Sequence, residues 1–475
     1  MKINIKLGKN FTTQFNKLCD EYGEQMAALN GFADEQLDYT DFIDNFIDKD
    51  SGTVADKSID GNANVSSKDI VALTNEMHKP HSKLLAFNKI YYELQKKYGF
   101  KTANEWLRAE WNGAFYLHDA HSTSYVPYCY AYSLKDLVEK GLYFIPKFNS
   151  MPPKHLTTYT DFVGEFIAYA CTRRSGAVGL PSFLVYSFYF WKKDVEEGYY
   201  TRSPEYYRDN EFQRIIYKLS QPWLRSGNQS AFTNMSIFDR NYYDALFGGE
   251  LFPDWRPMSD FMDEFMEYQK AFINAVSDIR KVNMITFPVL TYSLLRKDGK
   301  FVDEEFARWC SNHNIKYADS NFFISEDVTS LSNCCRLVSD IKDLGFFNSI
   351  GGTSLEVGSV KVNTVNLARI AYEVPRDKYL VLLKERVKLC LKALDVIRHI
   401  IKRNEEKGLL PNYTYNLMKM DSQYSTIGVI GIYEALSHYD LIKKDEFGNA
   451  FYTDEGLEFA ISILRTINET KDEFV

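Results

Sequence analysis

The sequence predicts an α/β fold, in which strands and helices alternate along most of the chain. Apolar, strand-like segments such as residues 282–295 and 320–325 alternate with amphipathic helical segments over roughly 300 residues. The length of 475 residues fits two or three domains or one large barrel-like unit. Hydrophobic residues make up 45% and charged residues 25%, as in ordinary globular proteins.

The first helical region is predicted after Ser66 or Ser67, either of which can cap a helix. Pro80 is predicted to break or kink it, because proline lacks the N–H that a helix interior uses. A second, short helix is predicted after Gly99. Residues 113–134 are aromatic and irregular, which predicts a strand and a loop.

The middle of the chain is predicted to be mostly helical. Residues 158–197 carry helical patterns that the segment 175–182, "SGAVGLPS", interrupts. The segment 225–239, "RSGNQSAFTNMSIFD", is predicted to form turns, and residues 258–280 an amphipathic helix.

The last third of the chain contains the clearest helix. Residues 350–374 open with glycines and continue with β-branched residues, and residues 424–436, "YSTIGVIGIYEAL", predict a strand or turn that runs into a helix. The helix is predicted over residues 378–403, because apolar side chains recur there at three- and four-residue steps. They are Leu383, Val387, Cys390, Leu394, Ile397 and Ile401.

Charge and cysteine content exclude several classes of protein. The formal charge is −8 and no basic stripe is present, so the sequence gives no support to nucleic-acid binding. No secretory signal and no transmembrane helix are predicted. Seven cysteines without a framework spacing indicate free thiols in the cytoplasm, and the absence of any C-x-x-C predicts no metal site in this chain.

Two cysteines, Cys334 and Cys335, stand side by side and are followed directly by Arg336. Metal sites usually separate their thiolates by spacers, and structural disulfides usually join cysteines that are far apart in sequence. Neither explanation suits the pair, so a chemical role is expected.

Eight segments, taken together and in order, resemble one family, the anaerobic (class III) ribonucleoside triphosphate reductases, which are glycyl radical enzymes. The segments are "NANVSS", "HKPHSKLLAFNKIYYE", "FYLHDAH" with "YC", "SGNQSAFTN", "TFPVLTYSL", "NCCRL", "GSVKVNTVNLARIAYE" and "STIGVIGIYEAL". The resemblance implies a ten-stranded α/β barrel with a central finger loop. It assigns residues 61–475 to this catalytic barrel and residues 1–60 to an N-terminal extension.

The resemblance also implies roles for individual residues. Cys335, the finger-loop cysteine before an arginine, would become a thiyl radical, and Cys129 would donate a hydrogen atom to the 2′ position of the ribose. Cys334 is left open between packing and exchange with a reductant disulfide. Substrate-binding roles are expected for His118, Asn234, Ser425, Thr426 and Gly428, the last three through hydroxyl and N–H groups where a strand meets a helix start.

The chain departs from the family pattern at both ends. It shows no C-terminal zinc cysteines, no glycine loop that would store the radical, and no N-terminal ATP cone. A separate small subunit, a truncation or a degenerate relative could each explain the missing loop. We favour the small subunit, because retaining Cys129 together with the Cys334–Cys335 pair would be pointless in an inactive scaffold.

The partners expected from the resemblance are a small glycyl radical subunit, a radical-SAM activating enzyme, a ribonucleoside triphosphate substrate and a second copy of this chain. Nucleotide effectors, dNTP or ATP, are expected as well. Leu337 stands where formate-using relatives commonly have serine, which favours a thioredoxin- or glutaredoxin-like dithiol as the reductant.

Two other functions remain open at this point. A formate lyase-like glycyl radical enzyme would also use adjacent cysteines on a finger loop, although Cys129 has no role in that scheme. A non-catalytic paralogue would bind nucleotides without converting them.

Overall fold

Helices pack around one large curled sheet, which confirms the predicted α/β fold. The computed structural model describes residues 6–48, 70–122, 126–144, 149–221, 224–225, 230–283, 285–328, 330–332, 338–340 and 356–474. Nine strands of the large sheet lie within these residues, consistent with the barrel of the resemblance.

The helices of the described chain are α1 Lys9–Leu29, α2 Asp34–Leu37, α3 Tyr39–Asp48, α4 Ile70–Glu76, α5 Lys79–Trp111, α6 Lys135–Lys140, α7 Leu156–Cys171, α8 Phe183–Glu196, α9 Pro204–Leu219, α10 Arg240–Phe247, α11 Met262–Arg280, α12 Glu304–Tyr317, α13 Leu367–Glu373, α14 Arg376–Glu406, α15 Pro411–Thr414, α16 Ile432–His438 and α17 Asp454–Phe474. The strands are β1 Phe115–Leu117, β2 Cys129–Ala131, β3 Val178–Gly179, β4 Thr233–Phe238, β5 Val289–Lys297, β6 Lys300–Phe301, β7 Ser320–Ser325, β8 Ser330–Ser332, β9 Val338–Asp340, β10 Gly358–Asn366, β11 Gln423–Ile430, β12 Ile442–Lys444 and β13 Ala450–Tyr452.

Seven of the nine strands of the large sheet form two parallel groups that run in opposite directions. Strands β2, β3, β4, β5 and β7 are parallel neighbours in that order, as expected where helices connect successive strands. Strands β10 and β11 form the second parallel group. The two groups meet where β2 pairs antiparallel with β10.

An excursion of the chain interrupts the strand at this junction. Phe115 of β1 pairs with Val365, and Cys129 of β2 pairs with Ser359 farther along the same strand, β10. The opposite edge of β10 is occupied by β11, so β1 and β2 share one edge. The His118 N–H still donates to the Val362 carbonyl of β10, and the Tyr128 N–H donates to the carbonyls of Ser359 and Val360. The described residues 119–122 and 126–127 therefore form an excursion from the sheet, with His118 at its start.

The first helical region is divided where proline predicted a break. Helix α4 ends at Glu76, and α5 begins at Lys79 with Pro80 in its first turn, where the missing N–H costs nothing. Gly99 has a positive φ of 87° inside α5 and kinks it, so the short helix predicted after Gly99 is confirmed.

The turn prediction for residues 225–239 is wrong over Thr233–Phe238, which form strand β4. All six of its side chains are buried, because β4 lies between β3 and β5 with both faces covered. The polar residues Thr233, Asn234 and Ser236 suggested a turn, but they are interior positions of a central strand.

The long helix α14 confirms the predicted apolar face and spans Arg376–Glu406. The six apolar residues predicted to share that face are all buried. At the other end of the chain, Phe11 and Phe32 belong to the same hydrophobic core as Trp111 of α5. The division at residue 60 into an extension and a barrel domain remains a prediction.

Within the described parts of the chain, no helix combines the length and the hydropathy needed to cross a bilayer.

Asp239 connects three elements of the sheet layer. Its Oδ1 accepts the Tyr242 N–H at 2.8 Å and caps α10, while its Oδ2 accepts the Leu295 N–H of β5 at 2.7 Å. The side chain is buried, and burial raises the pKa of this carboxyl while the backbone N–H groups oppose the rise. Asp239 therefore fixes the start of α10 relative to β5.

We expect Asp239→Ala to lower the free energy of unfolding by about 3 kcal/mol, because two buried N–H groups lose their acceptor. Ser203→Ala, which removes the exposed cap of α9, is the matched control and should cost about 1 kcal/mol. Urea unfolding followed by circular dichroism measures both. Equal losses in the two variants would contradict the role of Asp239.

Candidate functional site

Cys129 lies at the junction between the two parallel groups of strands. It is the first residue of β2, it is buried, and it pairs with Ser359 of β10. The parallel pairing of Tyr130 with Val178 places the start of β3 beside it. The backbone N–H of Ala177 donates a hydrogen bond to the Cys129 Sγ at 3.2 Å, which fixes the direction of the sulfur.

Gly176 allows the segment before β3 to approach this sulfur. A Cβ at position 176 would lie 2.5 Å from the Cys129 Sγ and 2.9 Å from the carbonyl oxygen of Tyr128. The backbone N–H of Gly176 donates to that same carbonyl at 2.8 Å. The close contact therefore requires glycine because of space, without any need for a positive φ.

Lys361 is a fully buried cation on β10, close to Cys129. Its Nζ donates to the backbone carbonyl of Asp119 at 3.1 Å and to the Ser175 Oγ at 3.4 Å, and it lies 5.6 Å from the centre of the Tyr128 ring. Burial lowers the pKa of Lys361 to about 8, although the charges of Asp119 and Cys129 oppose the shift.

Sequence reasoning did not identify Lys361. One signal was available, since a single lysine stands inside the β-branched run "GSVKVNTV". Lysine is almost never fully buried unless it has a specific function or partner. The sequence pattern indicated Gly176 only as part of the segment 175–182 that interrupts a helical region.

His118 lies at the start of the excursion between β1 and β2. Its Nε2 is 2.9 Å from the Thr364 Oγ1 of β10, and its ring makes edge contacts with Tyr116 and Tyr128. A Cβ at Gly428 would lie 2.4 Å from the same Thr364 Oγ1. The structure thus brings two of the predicted site residues, His118 and Gly428, to one threonine.

Ser425, Thr426 and Gly428 lie within strand β11, which corrects the expectation that they sit at a helix start. The strand continues to Ile430, and α16 begins only at Ile432. These three residues are in parallel register with Lys361, Val362 and Thr364 of β10. Four residues of the segment 425–430 are β-branched, Thr426, Ile427, Val429 and Ile430, and they favour a strand over helix initiation. Ser425 and Thr426 therefore offer hydroxyl groups rather than the free N–H groups of a helix start.

Thr426 is connected to Cys129 through one residue. Its Oγ1 is 2.9 Å from the Ser359 Oγ, and Ser359 is the β10 residue that pairs with Cys129. The predicted residues Cys129 on β2 and Thr426 and Gly428 on β11 therefore lie on the two strands that flank β10.

Asn234 lies farther along the sheet, on β4. Its side chain is buried, and its Nδ2 donates to the Val289 carbonyl at 3.1 Å and to the Thr291 Oγ1 at 3.0 Å. Its Oδ1 has no hydrogen-bond partner within the described part of the chain. Leaving a buried oxygen such as this one without a hydrogen bond costs about 1–3 kcal/mol, so a donor from a bound ligand would stabilise it.

Cys334 and Cys335 lie outside the described residues. The chain on either side of them is described as a two-stranded ladder, in which Ser332 of β8 pairs with Val338 of β9. The assignment of these two cysteines to the site remains a prediction.

One group of side chains in the described chain has the spacing of a metal site, namely His155, Asp194 and Glu197. The Asp194 carboxylate is buried and already accepts hydrogen bonds from His155, from the Leu156 N–H and from the Tyr200 hydroxyl. These three hydrogen bonds are enough to stabilise the buried Asp194 carboxylate without a metal ion. This group does not test the prediction that the chain holds no metal, which stays a prediction.

The geometry around Cys129 can be compared with that of known proteins. Residues 74–475 match the family model described as anaerobic ribonucleoside-triphosphate reductase. No curated protein sequence matches the chain.

Solved structures of an anaerobic ribonucleotide reductase from Thermotoga maritima are similar to this chain over its whole length. The form with dATP bound in the specificity site is 37% identical, with a TM-score of 0.86, and the match covers 100% of this chain and 76% of that one. The complex with dATP and CTP has the same identity and TM-score and is covered over 75% of its length. The form with citrate in the active site is 37% identical, with a TM-score of 0.85, and is covered over 82%.

The pH dependence of the free energy of unfolding tests whether Lys361 is buried as a charged ammonium group. Because its pKa is lower in the folded chain than in the unfolded chain, folding releases its proton between about pH 8 and pH 10.5. The free-energy cost of burying the charged Lys361 is full below about pH 8, and it disappears as the pH rises through 10.5, the pKa of lysine in the unfolded chain. The wild-type chain should therefore gain about 2 kcal/mol of stability relative to Lys361→Met between pH 7.5 and pH 10.

Urea unfolding of both proteins at each pH measures this difference, since all other titrating groups cancel in the comparison. The exposed residue Lys402 supplies the control, because Lys402→Met should change stability equally at both pH values. A constant difference between wild type and Lys361→Met would show that Lys361 is not buried as a cation.

Proposed function

The chain belongs to the anaerobic ribonucleoside-triphosphate reductase family, and we propose that Cys129 and Cys335 carry its radical chemistry. It is a catalytic ribonucleotide reductase chain, so the resemblance that the eight segments indicated is confirmed. The family match also removes the formate lyase-like alternative. The single observation that supports the residue assignment is the buried sulfur of Cys129 at the junction of the two strand groups, held by the Ala177 N–H.

In the proposed reaction the thiyl form of Cys335 takes the hydrogen atom from C3′ of the ribose. The C2′ hydroxyl then leaves as water, and Cys129 donates a hydrogen atom to C2′. The hydrogen atom on Cys335 returns to C3′ at the end. A dithiol reductant supplies the two electrons and two protons that balance the loss of the hydroxyl as water.

A glycyl radical supplies the unpaired electron that this scheme needs on Cys335. We propose that it comes from a separate small subunit, which a radical-SAM enzyme activates. The presence of both Cys129 and the Cys334–Cys335 pair supports this, since neither is needed in an inactive chain. Mass measurement of the native complex tests it, and the idea fails if no small glycine-radical protein binds this chain and restores its activity.

The substrate is proposed to contact the face formed by β10 and β11. Thr426 meets Ser359 beside Cys129, and His118 and Gly428 meet at Thr364 farther along β10, so hydroxyl and imidazole groups line this pair of strands. Asn234 offers its unpartnered Oδ1 from β4. Together these groups suit a polar sugar and its phosphates better than an apolar ligand.

The remaining partners are proposed from the family. The relative from Thermotoga maritima binds dATP in a specificity site, so we propose that dNTP or ATP effectors also bind this chain and that it works as a homodimer. We propose a thioredoxin- or glutaredoxin-like dithiol as the reductant, which predicts turnover with that protein and none with formate alone. For Cys334, packing and exchange with this dithiol both stay open. The free thiols at the five described cysteines suit a cytoplasmic location.

Removing either sulfur tests the assignment. With activated radical subunit and reductant, Cys335→Ala and Cys129→Ala should each lower deoxynucleotide formation by at least 1,000-fold, about 4 kcal/mol of activation free energy, while nucleotide binding persists. Cys19→Ala is the control, because Cys19 is a half-exposed thiol on α1. Turnover by Cys335→Ala would overturn the mechanism, and an inactive wild-type chain would favour the paralogue.

Crowding the sulfur tests its placement without removing it. Gly176→Ala puts a Cβ against the Cys129 Sγ and the Tyr128 carbonyl, and we expect kcat to fall at least tenfold, about 1.4 kcal/mol, with little change in KM. Gly164→Ala on α7 is the control, because its Cβ meets only the movable end of Lys218. A fully active Gly176→Ala enzyme would show that the position of this sulfur is not critical.

A further inference from the structure

Glu110 is a buried carboxyl group that the proposed reaction does not use. It lies in the last turn of α5. Its Oε2 accepts the Leu117 N–H of β1 at 3.1 Å, and its Oε1 accepts a hydrogen bond from the Asn363 Nδ2 of β10 at 3.2 Å. Leu117 and Asn363 are themselves paired across these two strands. One carboxylate therefore connects the end of α5 to both partners of a single strand pair.

His118 follows directly after this strand pair. Its N–H donates to the Val362 carbonyl at 3.2 Å, and its Nε2 lies 2.9 Å from the Thr364 Oγ1. Val362 and Thr364 are the two neighbours of Asn363 on β10. The carboxylate thus fixes the residue before His118 and the residue between its two contacts on β10.

The titratable groups that face Glu110 come from three elements. They are Lys83 on the same helix, Tyr116 on β1 and Cys390 on α14. Burial is the main cause that raises the pKa of Tyr116 and of Cys390, so both are neutral near pH 7. Lys83 donates to the Asn30 carbonyl at 2.6 Å and acts on the carboxylate only through its charge.

The two protonation states of this carboxyl make different hydrogen bonds. Burial raises the pKa of Glu110 to about 7, while the Leu117 N–H, the Lys83 charge and the Asn363 amide oppose the rise. The ionised form accepts from both donors, whereas the protonated form has a hydroxyl donor in place of one acceptor. The Leu117 N–H is a fixed backbone donor, so the proton belongs on the oxygen that faces Asn363. There it opposes another donor, the Asn363 Nδ2.

Asn363 provides an alternative contact for the protonated carboxyl. Its Oδ1 is buried and has no hydrogen-bond partner among the described residues. Turning the amide exchanges Nδ2 for Oδ1 and lets the Glu110 hydroxyl donate to it. The end of the β1–β10 pair is therefore held in two ways, depending on whether the carboxyl carries a proton.

We propose that Glu110 is a positioning residue, which holds His118 against Thr364 while its carboxyl is ionised and releases it when the carboxyl is protonated. Successive side chains of a strand point to opposite faces, so Asn363 and Thr364 lie on opposite faces of β10. Glu110 therefore acts from the face away from His118 and does not touch the substrate. The effect on substrate affinity rests on the proposed function, in which His118 contacts the substrate.

Replacing Glu110 by glutamine tests the proposal, because Glu110→Gln keeps the shape of the neutral carboxyl and cannot titrate. CTP binding to the full chain is measured at pH 6 and pH 8. We expect Glu110→Gln to bind CTP about tenfold more weakly than the wild type at pH 8 and about twofold more weakly at pH 6, because the ionised fraction of a group with a pKa near 7 falls about tenfold over this range. Taking the ratio cancels the titration of the phosphates.

The matched control is Glu105→Gln, since Glu105 is an exposed glutamate on the same helix. This variant should bind CTP as the wild type does at both pH values. A merely structural role for Glu110 would weaken CTP binding by the same factor at pH 6 and pH 8, and that result overturns the proposal.

Hydrogen exchange gives a second readout that does not depend on the substrate. Exchange is followed by mass spectrometry in the peptide 113–118, corrected for the intrinsic pH dependence of exchange, with β4 as the internal reference. Protection of this peptide should fall between pH 8 and pH 6 in the wild type and in Glu105→Gln, and be low at both pH values in Glu110→Gln. Protection that does not change in the wild type overturns the proposal, even if Glu110→Gln is not folded.

His118→Ala separates this proposal from the proposed function. If exchange changes as expected while His118→Ala and Glu110→Gln both bind CTP as the wild type does, the positioning by Glu110 is supported. Only the assignment of His118 to the substrate is then wrong.

Discussion

The site is organised around one buried cation at the junction of two opposed groups of strands. Lys361 is fully buried, and taking an ammonium out of water costs several kcal/mol. The Asp119 carbonyl, the Ser175 hydroxyl and the Tyr128 ring provide its contacts. Each belongs to a segment next to Cys129, so the segments that satisfy the cation are also the segments that position the sulfur.

The strand geometry explains why function is concentrated there. Where β2 meets β10 the sheet changes from one parallel group to the other, and the described residues 119–122 and 126–127 between β1 and β2 lie off the sheet. The excursion carries His118 to β10 and His121 to a cavity that Ser175 also lines. The same junction therefore carries a hydroxyl-rich face on β10–β11 and, beside Ser175, this cavity lined by charged side chains.

Sequence patterns predicted elements well where packing follows simple periodicity. The apolar face of α14, the break at Pro80 and the short helix after Gly99 were all correct, because each depends on local backbone chemistry. Strand β4 was missed, because its polar residues face a covered interior that the pattern of polar and apolar residues does not reveal. Ser425 and Thr426 were placed near a helix start, whereas the β-branched run extends the strand beyond them.

The sequence alone determined the family, the α/β class and the candidate cysteines, because motif order and periodicity are properties of neighbouring residues. Only the tertiary structure decided that Lys361 meets Asp119, 242 positions away, and Ser175, 186 positions away. It also decided that Gly176 must lack a side chain, because the obstructing sulfur belongs to another strand. Such contacts are set by how strands pair across the sheet, and no local pattern in the chain encodes that pairing.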